Sequence, residues 1–295
     1  MTHAAWAGAA RHLGPWAAAL ALAAAWAGPA WAVEGESPTS DTKAEPKVAA
    51  GKDGDEDATV TGTVEVASKY VQRGMTDRAD NEGLSVQPGL TVKLPWGFVF
   101  DYWGASCDYP TAEVSHTYDS KGGLVGVSLS NPRRAFENDL TLMWTVGAGD
   151  FTFKLGGQYM YFMHATENNV PEVYAEIEGS PTIAKHPLGD FTLVIEYMLT
   201  KSPWTNPNDA YFLLTHQYPL ADKWSSVWQV GTYLYGKSSS NLATISSFNL
   251  RHFDVGLQRK FDNGIYMRGM YLVGGYDRLA QHLPNTQVWF LGYEF

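Results

Sequence analysis

Phe151-Thr152-Phe153-Lys154-Leu155-Gly156-Gly157-Gln158-Tyr159-Met160-Tyr161 decides the fold. Phe151, Phe153, Leu155, Tyr159 and Tyr161 fall on one face, and Thr152, Lys154 and Gln158 on the other. Successive side chains of a strand point to opposite faces, so this stretch has one greasy side and one wet side. The same period of two recurs outward in both directions. Val60, Val64, Val66 and Tyr70 oppose Thr61, Thr63, Glu65, Lys69 and Arg73; Phe191, Leu193, Ile195, Tyr197 and Leu199 oppose Thr192 and Glu196. Twelve such segments run over 60–73, 83–94, 97–107, 136–147, 150–163, 170–180, 188–199, 209–219, 223–235, 246–260, 263–276 and 285–295. Many exceed the five or six residues usual in globular strands and suit a tilted crossing of hydrocarbon, which takes about 9–11.

The connections alternate as well. Pro95-Trp96, Ala148-Gly149, Leu220-Ala221-Asp222 and Phe261-Asp262-Asn263-Gly264 are tight, the last a hairpin signal. The links 74–82, 108–135, 201–208, 236–244 and 277–284 are polar and mostly longer. Short turns on one rim, long loops on the other and an even strand count describe an all-β, antiparallel up-and-down transmembrane β-barrel of about twelve strands, within a range of ten to fourteen. Closure is the physical reason: an unpaired backbone group in hydrocarbon costs several kcal/mol, and a closed sheet has no edge. A soluble β-sandwich or cup would also alternate, but would not turn aromatics outward on nearly every strand. Trp96, Phe98, Tyr102, Trp103, Tyr109, Phe162, Trp204, Tyr211, Tyr218 and Trp224 lie near strand ends and are expected to form girdles at the two lipid interfaces.

Composition agrees with a β-protein. The 295 residues include 11 Trp, 16 Tyr, 13 Phe and 29 Gly, with only 18% charged. A net charge of −10 argues against a nucleic-acid partner. Outside residues 1–32 no apolar run is long enough for a spanning helix. Residues 1–32 read as a secretory signal peptide, with Arg11, an apolar run from Leu13 to Ala27 and the small-x-small site Ala30-Trp31-Ala32. Residues 33–58 are acidic and free of aromatics, too polar to bury a core, and are expected to form a flexible tail. The barrel then occupies 59–295. Cys107 is the single cysteine and is expected to pack on a strand without chemistry.

The last segment, Gln287 to Phe295, puts Trp289, Leu291, Tyr293 and Phe295 on one face. A final amphipathic strand with a terminal aromatic looks like the signal bacterial barrels offer their assembly machinery. Expected partners are therefore outer-membrane lipids, that machinery and small hydrophilic solutes, in the bacterial outer membrane.

Particular blocks carry a family resemblance. Ala67-Ser68-Lys69-Tyr70-Val71-Gln72-Arg73-Gly74 looks like a Ser-x-Tyr-x-x-Arg-Gly opening strand. Gln87, Gly89 and Leu90, then Gly97 with Trp103-Gly104-Ala105-Ser106, fit the next two strands. Asn138-Asp139-Leu140, Gly157 with Tyr159 and Tyr161, and Glu172-Val173-Tyr174 fit later blocks. These resemble the TorF-type (Gcw_chp) family of bacterial proteins regarded as porins, closely over 59–200 and loosely beyond. The insert 108–135 and the Trp-rich ninth segment depart from the pattern. The resemblance implies an outer-membrane barrel with pore activity and carries over no substrate and no binding residue.

If the apolar faces meet lipid, the polar faces line a lumen. Glu65, Lys69, Arg73, Lys93, Asp101, Asp139, Lys154, Glu172, Glu176, Glu178, Glu196, Asp254 and Arg268 are expected inside, eight acids against five bases. That balance suggests a small hydrophilic channel with mild cation preference. The opposing expectation is internal salt bridges that fill a narrow barrel, Lys69 or Arg73 pairing Glu65 or neighbouring acids; twelve strands lie between filled barrels and wide porins. The loop 108–135 is expected either to fold inward as a constriction or to add a hairpin between 113–118 and 124–129, raising the count to fourteen.

An enzyme is the contrasting class, since some twelve-stranded barrels are lipases. That chemistry needs Ser touching His, with a polar group orienting the His. His116, His164, His186, His216, His252 and His282 follow the signal segment, and Ser115-His116 and Thr215-His216 are neighbours that a strand would point apart. No stretch reads as a barrel-lipase nucleophile motif, so no catalytic residue is assigned, and no metal or cofactor motif appears. A closed structural or adhesion barrel, with 236–244 as contact surface, is the third class.

Overall fold

In the computed structural model the described residues are 58–74, 83–118, 124–184, 186–236 and 242–295, with backbone alone over 108–118 and 124–134. The expectations for residues 1–57 lie outside these. The strands are β1 (Thr59–Ala67), β2 (Ser85–Lys93), β3 (Phe98–Tyr118), β4 (Leu124–Ala148), β5 (Phe151–Met163), β6 (Val170–Gly179), β7 (Thr182–Ile183), β8 (His186–Pro187), β9 (Asp190–Met198), β10 (Ala210–Ala221), β11 (Trp224–Leu234), β12 (Phe248–Lys260), β13 (Ile265–Gly274) and β14 (Thr286–Glu294). Twelve of them close into one antiparallel barrel in the order β1-β14-β13-β12-β11-β10-β9-β6-β5-β4-β3-β2. β7 and β8 form a separate two-stranded ribbon within the link from β6 to β9.

The seam joins β1 to β14, from Thr63 opposite Glu294 to Ala67 opposite Phe290. Gly62 and Phe295 exchange both backbone hydrogen bonds, at 2.9 and 3.0 Å, which ties the last residue into the seam. The tight turns, including Asp262-Asn263-Gly264 with Gly264 at φ 82, gather on the rim that also holds Thr59 and Phe295. Positive φ is what such a turn demands and glycine meets it without steric cost.

The exterior is apolar. Exposed large hydrophobic side chains occur on every barrel strand except β9, whose Leu193, Ile195 and Tyr197 are half-buried. Leu155, Val255, Leu291 and Trp289 are examples, Trp289 being 63% exposed. Fully covering a Leu or Phe is worth about 1.5–3 kcal/mol. A surface like this in water would be an aggregation liability, whereas in hydrocarbon it is already in its preferred solvent.

Over its described backbone, 108–118 and 124–135, the segment neither folds inward nor adds two strands to the barrel. β3 and β4 run on through it and pair only with each other, from Asp108 opposite Arg134 to Tyr118 opposite Leu124, while β2 leaves β3 at Trp103 and β5 leaves β4 at Phe136. The expected 113–118 with 124–129 pairing exists, as a projection of existing strands, so the count stays at twelve. An apolar alternation adds strands to a barrel only if both edges find partners, and these residues have one each.

Candidate functional site

β1 ends at Ala67, short of the 73 expected. Ser68 still exchanges hydrogen bonds with Trp289, and Lys69 Nζ donates to Thr286 Oγ1 at 2.9 Å. Tyr70 to Gly74 then leaves the wall and enters the barrel interior, where Tyr70, Gln72, Arg73 and Gly74 are buried. Arg73 and Gly74 take φ 45 and 70, left-handed values that cannot continue a strand. A Cβ on Gly74 would fall on the His252 ring, so the tight approach as well as the φ requires glycine. Tyr70 was expected on the outer face with Val60, Val64 and Val66, and Arg73 on the wall; both instead belong to this strap. The alternation itself marks the break, because Ser68 and Gln72 fall in phase with the apolar face.

The strap is held by the opposite wall. Arg73 Nη2 donates to both Glu172 oxygens at 2.8 Å. Arg73 Nε lies 2.6 Å from Glu196 Oε2, an ion pair whose N–H direction does not line up as a hydrogen bond. The guanidinium carbon sits 5.1 Å from the Trp204 ring centre and 5.8 Å from that of Tyr211. Tyr233 Oη is a longer contact at 3.5 Å. Tyr70 Oη donates to Glu137, and Gln72 Nε2 donates to the same carboxylate at 3.1 Å. Arg251 Nε donates to the Arg73 carbonyl at 3.3 Å.

The other expected interior residues fall on the inward parity of their strands. Glu65 accepts from Arg268 and from Tyr266 Oη at 2.7 Å. Lys154 bridges Glu176 and Glu178 at 2.8 and 2.9 Å. Asp101 is level with Thr91 of β2 and Thr141 of β4, and Lys93 ends β2 at the short-turn rim. Among the described residues, Asp139 and Asp101 each keep one buried oxygen without a hydrogen-bond partner. Asp254 holds His252 Nδ1 at 2.9 Å from each oxygen, and His252 Nε2 lies 2.6 Å from Tyr211 Oη. The oriented histidine therefore touches a phenol rather than a serine. Trp289, Leu291, Tyr293 and Phe295 all point outward and are exposed.

Several girdle expectations are corrected. Phe162 and Tyr211 are buried inside, and Trp103 and Trp204 pack against the interior clusters around Tyr70 and Tyr211. Trp96, Phe98, Tyr218 and Trp224 are exposed near the short-turn rim. Tyr109 and His116 fall among side chains outside the description. Glu137 was overlooked although it shares the inward parity of Asp139; Trp204 and Arg251 gave no periodic signal, one lying in a loop and the other at the β-bulge opposite Gly231 and Thr232. Cys107 is buried with Sγ 3.8 Å from the Ala135 carbonyl.

Above the strap the loops are knotted. Asp209 accepts from Arg278 Nη2 at 2.5 Å and from the backbone N–H groups of Asn206 and Gly236 at 2.8 Å each. Burial raises the Asp209 carboxyl above its ordinary value against the pull of Arg278. Burial likewise raises the Tyr235 phenol.

A closed antiparallel barrel, greasy outside and charged within, is thus crossed near its long-loop rim by an arginine-bearing strap. The chain belongs to the family described as bacterial protein of unknown function (Gcw_chp), whose pattern matches residues 51–286. No curated protein matches it. Among solved structures it is similar to the KdgM porin, at TM-score 0.45 and 7% identity over 81% of this chain and 98% of that one. It is also similar to the Salmonella typhi outer membrane phospholipase (OMPLA) dimer with bound calcium, at TM-score 0.40 and 10% identity over 80% and 90%. A bacterial polysaccharide outer membrane secretin gives TM-score 0.38 and 11% identity over 80% and 98%.

Proposed function

We propose that this chain is a bacterial outer-membrane barrel that passes small hydrophilic solutes and ions, with a mild preference for cations. The observation that carries the proposal is the inward-facing charge. Around the strap Glu137, Asp139, Glu172 and Glu196 meet Arg73 and Arg251; nearer the short-turn rim Asp101, Glu176 and Glu178 meet Lys93 and Lys154. Counted as ionised, both levels are acidic, and confined charge selects ions by sign. The apolar exterior supports lipid as the surrounding solvent, and the bacterial family supports the outer membrane as the site. Export by residues 1–32 and insertion by the barrel assembly machinery follow from the same reading.

Reversal potential across a planar bilayer under a salt gradient tests it. Glu176→Gln with Glu178→Gln removes both carboxylate partners of Lys154 and the acid excess of that level, and leaves the Arg73 level untouched. We expect the potential to move toward the anion side; an unchanged value contradicts the proposal.

A sealed structural barrel is the second reading, favoured by the strap and the apolar packing of Tyr70, Phe162, Met160 and Trp204 around it. Conductance absent from wild type and present after loss of the Arg73 side chain would favour that reading. Hydrolytic function has less support, because the hydroxyl held by His252 is that of Tyr211.

A further inference from the structure

We propose that the cage around Arg73 is a binding site for guanidinium-bearing solutes, and that Arg73 is its tethered occupant. The inference rests on the reading of the interior as a solute route and names the class of solute it would retain.

The cage belongs to the wall and loops, not to the strap. Glu172 comes from β6, Glu196 from β9, Tyr211 from β10, and Trp204 from the loop between β9 and β10. Two carboxylates meet the guanidinium on its nitrogens, and two aromatic rings lie within 6 Å of its carbon. Paired carboxylate acceptors with an aromatic face suit a planar, weakly hydrated cation much better than a sodium ion. The cage is also over-supplied with carboxyl groups. Glu172 and Glu196 share one guanidinium, Glu137 is engaged by the neutral donors Tyr70 and Gln72, and Asp139 keeps a buried oxygen without a partner among the described residues.

The tether, by contrast, is held in an unfavourable backbone. Arg73 is a non-glycine residue at φ 45, a conformation that persists only where contacts impose it. A tethered group competes at high effective concentration, so a free solute meets weak apparent affinity in the wild type and an open cage once the Arg73 side chain is gone.

The test is a titration of the refolded, micelle-bound full barrel carrying Arg73→Ala, with methylguanidinium or agmatine against equimolar sodium chloride. We expect the guanidinium compounds, and not sodium, to raise the thermal midpoint, with apparent affinity at least about tenfold above wild type. Adding Glu196→Gln should weaken that binding by about tenfold. If Arg73→Ala does not refold alone, millimolar methylguanidinium during refolding should restore the heat-modifiable folded form. A response equal to that of sodium, or no rescue, overturns the proposal. Conductance measured on the same preparations separates the two readings: binding without conductance sinks the pore and keeps the cage, while conductance without selective binding does the reverse.

Discussion

Arg73 and Glu196 form an ion pair between strands on opposite sides of the barrel. Arg73 follows β1, Glu196 lies on β9, and these strands are six places apart around the twelve-strand ring in either direction, yet Nε and Oε2 are 2.6 Å apart. The strap and its arginine therefore tie the end of β1 to the opposite wall.

Removing that tie should cost stability. Arg73→Leu leaves Glu172 and Glu196 buried without their cation, and breaking one side of a buried pair typically costs about 3–5 kcal/mol. Denaturant unfolding in micelles, followed by loss of the heat-modifiable band, reads it. Arg73→Lys should recover only part, since an ammonium cannot match the fork that meets Glu172 and stacks on Trp204.

Gly74 is the strap's hinge against β12. Gly74→Val demands a left-handed φ from a branched residue and drives its Cβ into the His252 ring. A loss of about 1–3 kcal/mol is expected. His252→Ala in the same chain relieves the clash but not the φ, so the double variant should be more stable than the sum of the two single losses, measured as a double-mutant cycle.

The lipid-facing assignment can be tested on adjacent residues of β12. Val255 is exposed outward and Asp254 is buried inward. Val255→Arg should cost about 2–4 kcal/mol in a bilayer, as charges do near the midplane of a barrel exterior. Refolding equilibria in vesicles measure it, and a cost near zero would place that face in water.

Asp209 and Arg278 lock the loops over the strap. Asp209 is wholly buried and receives one guanidinium and two backbone donors. Asp209→Ala strands Arg278 and should cost about 3 kcal/mol. Limited proteolysis should then cut within 200–209 or 275–285 much faster than in the parent, with the strands intact.

The strands were legible because each must present one apolar face, and that requirement writes a period of two into 151–161, 191–199 and their relatives. Closure followed from turn length and parity. The strap was not legible as a structure, although its start was marked: Ser68 and Gln72 interrupt the greasy face that Val60, Val64 and Val66 establish. What periodicity cannot carry is a residue whose partners lie across the lumen. Arg73 was placed inside by parity, but its pairing with Glu172 and Glu196 is set by barrel diameter and by a turn at Arg73-Gly74. Trp204 and Arg278 sit in loops, where no repeat constrains the face they show. The aromatic residues near strand ends divided between lipid and interior for the same reason: Trp96 and Phe98 sit at a tight turn, whereas Phe162 and Tyr211 fall on inward parity, which outranks nearness to a rim.

The most direct test of the account is single-channel recording of the wild-type barrel and the Arg73→Ala variant in one planar bilayer under a potassium chloride gradient. Small cation-selective currents are expected from the wild type, and larger currents of the same sign from the variant. Silence from both proteins, or currents of anion sign, would contradict the claim that an acidic lumen crossed by Arg73 is a path for solutes.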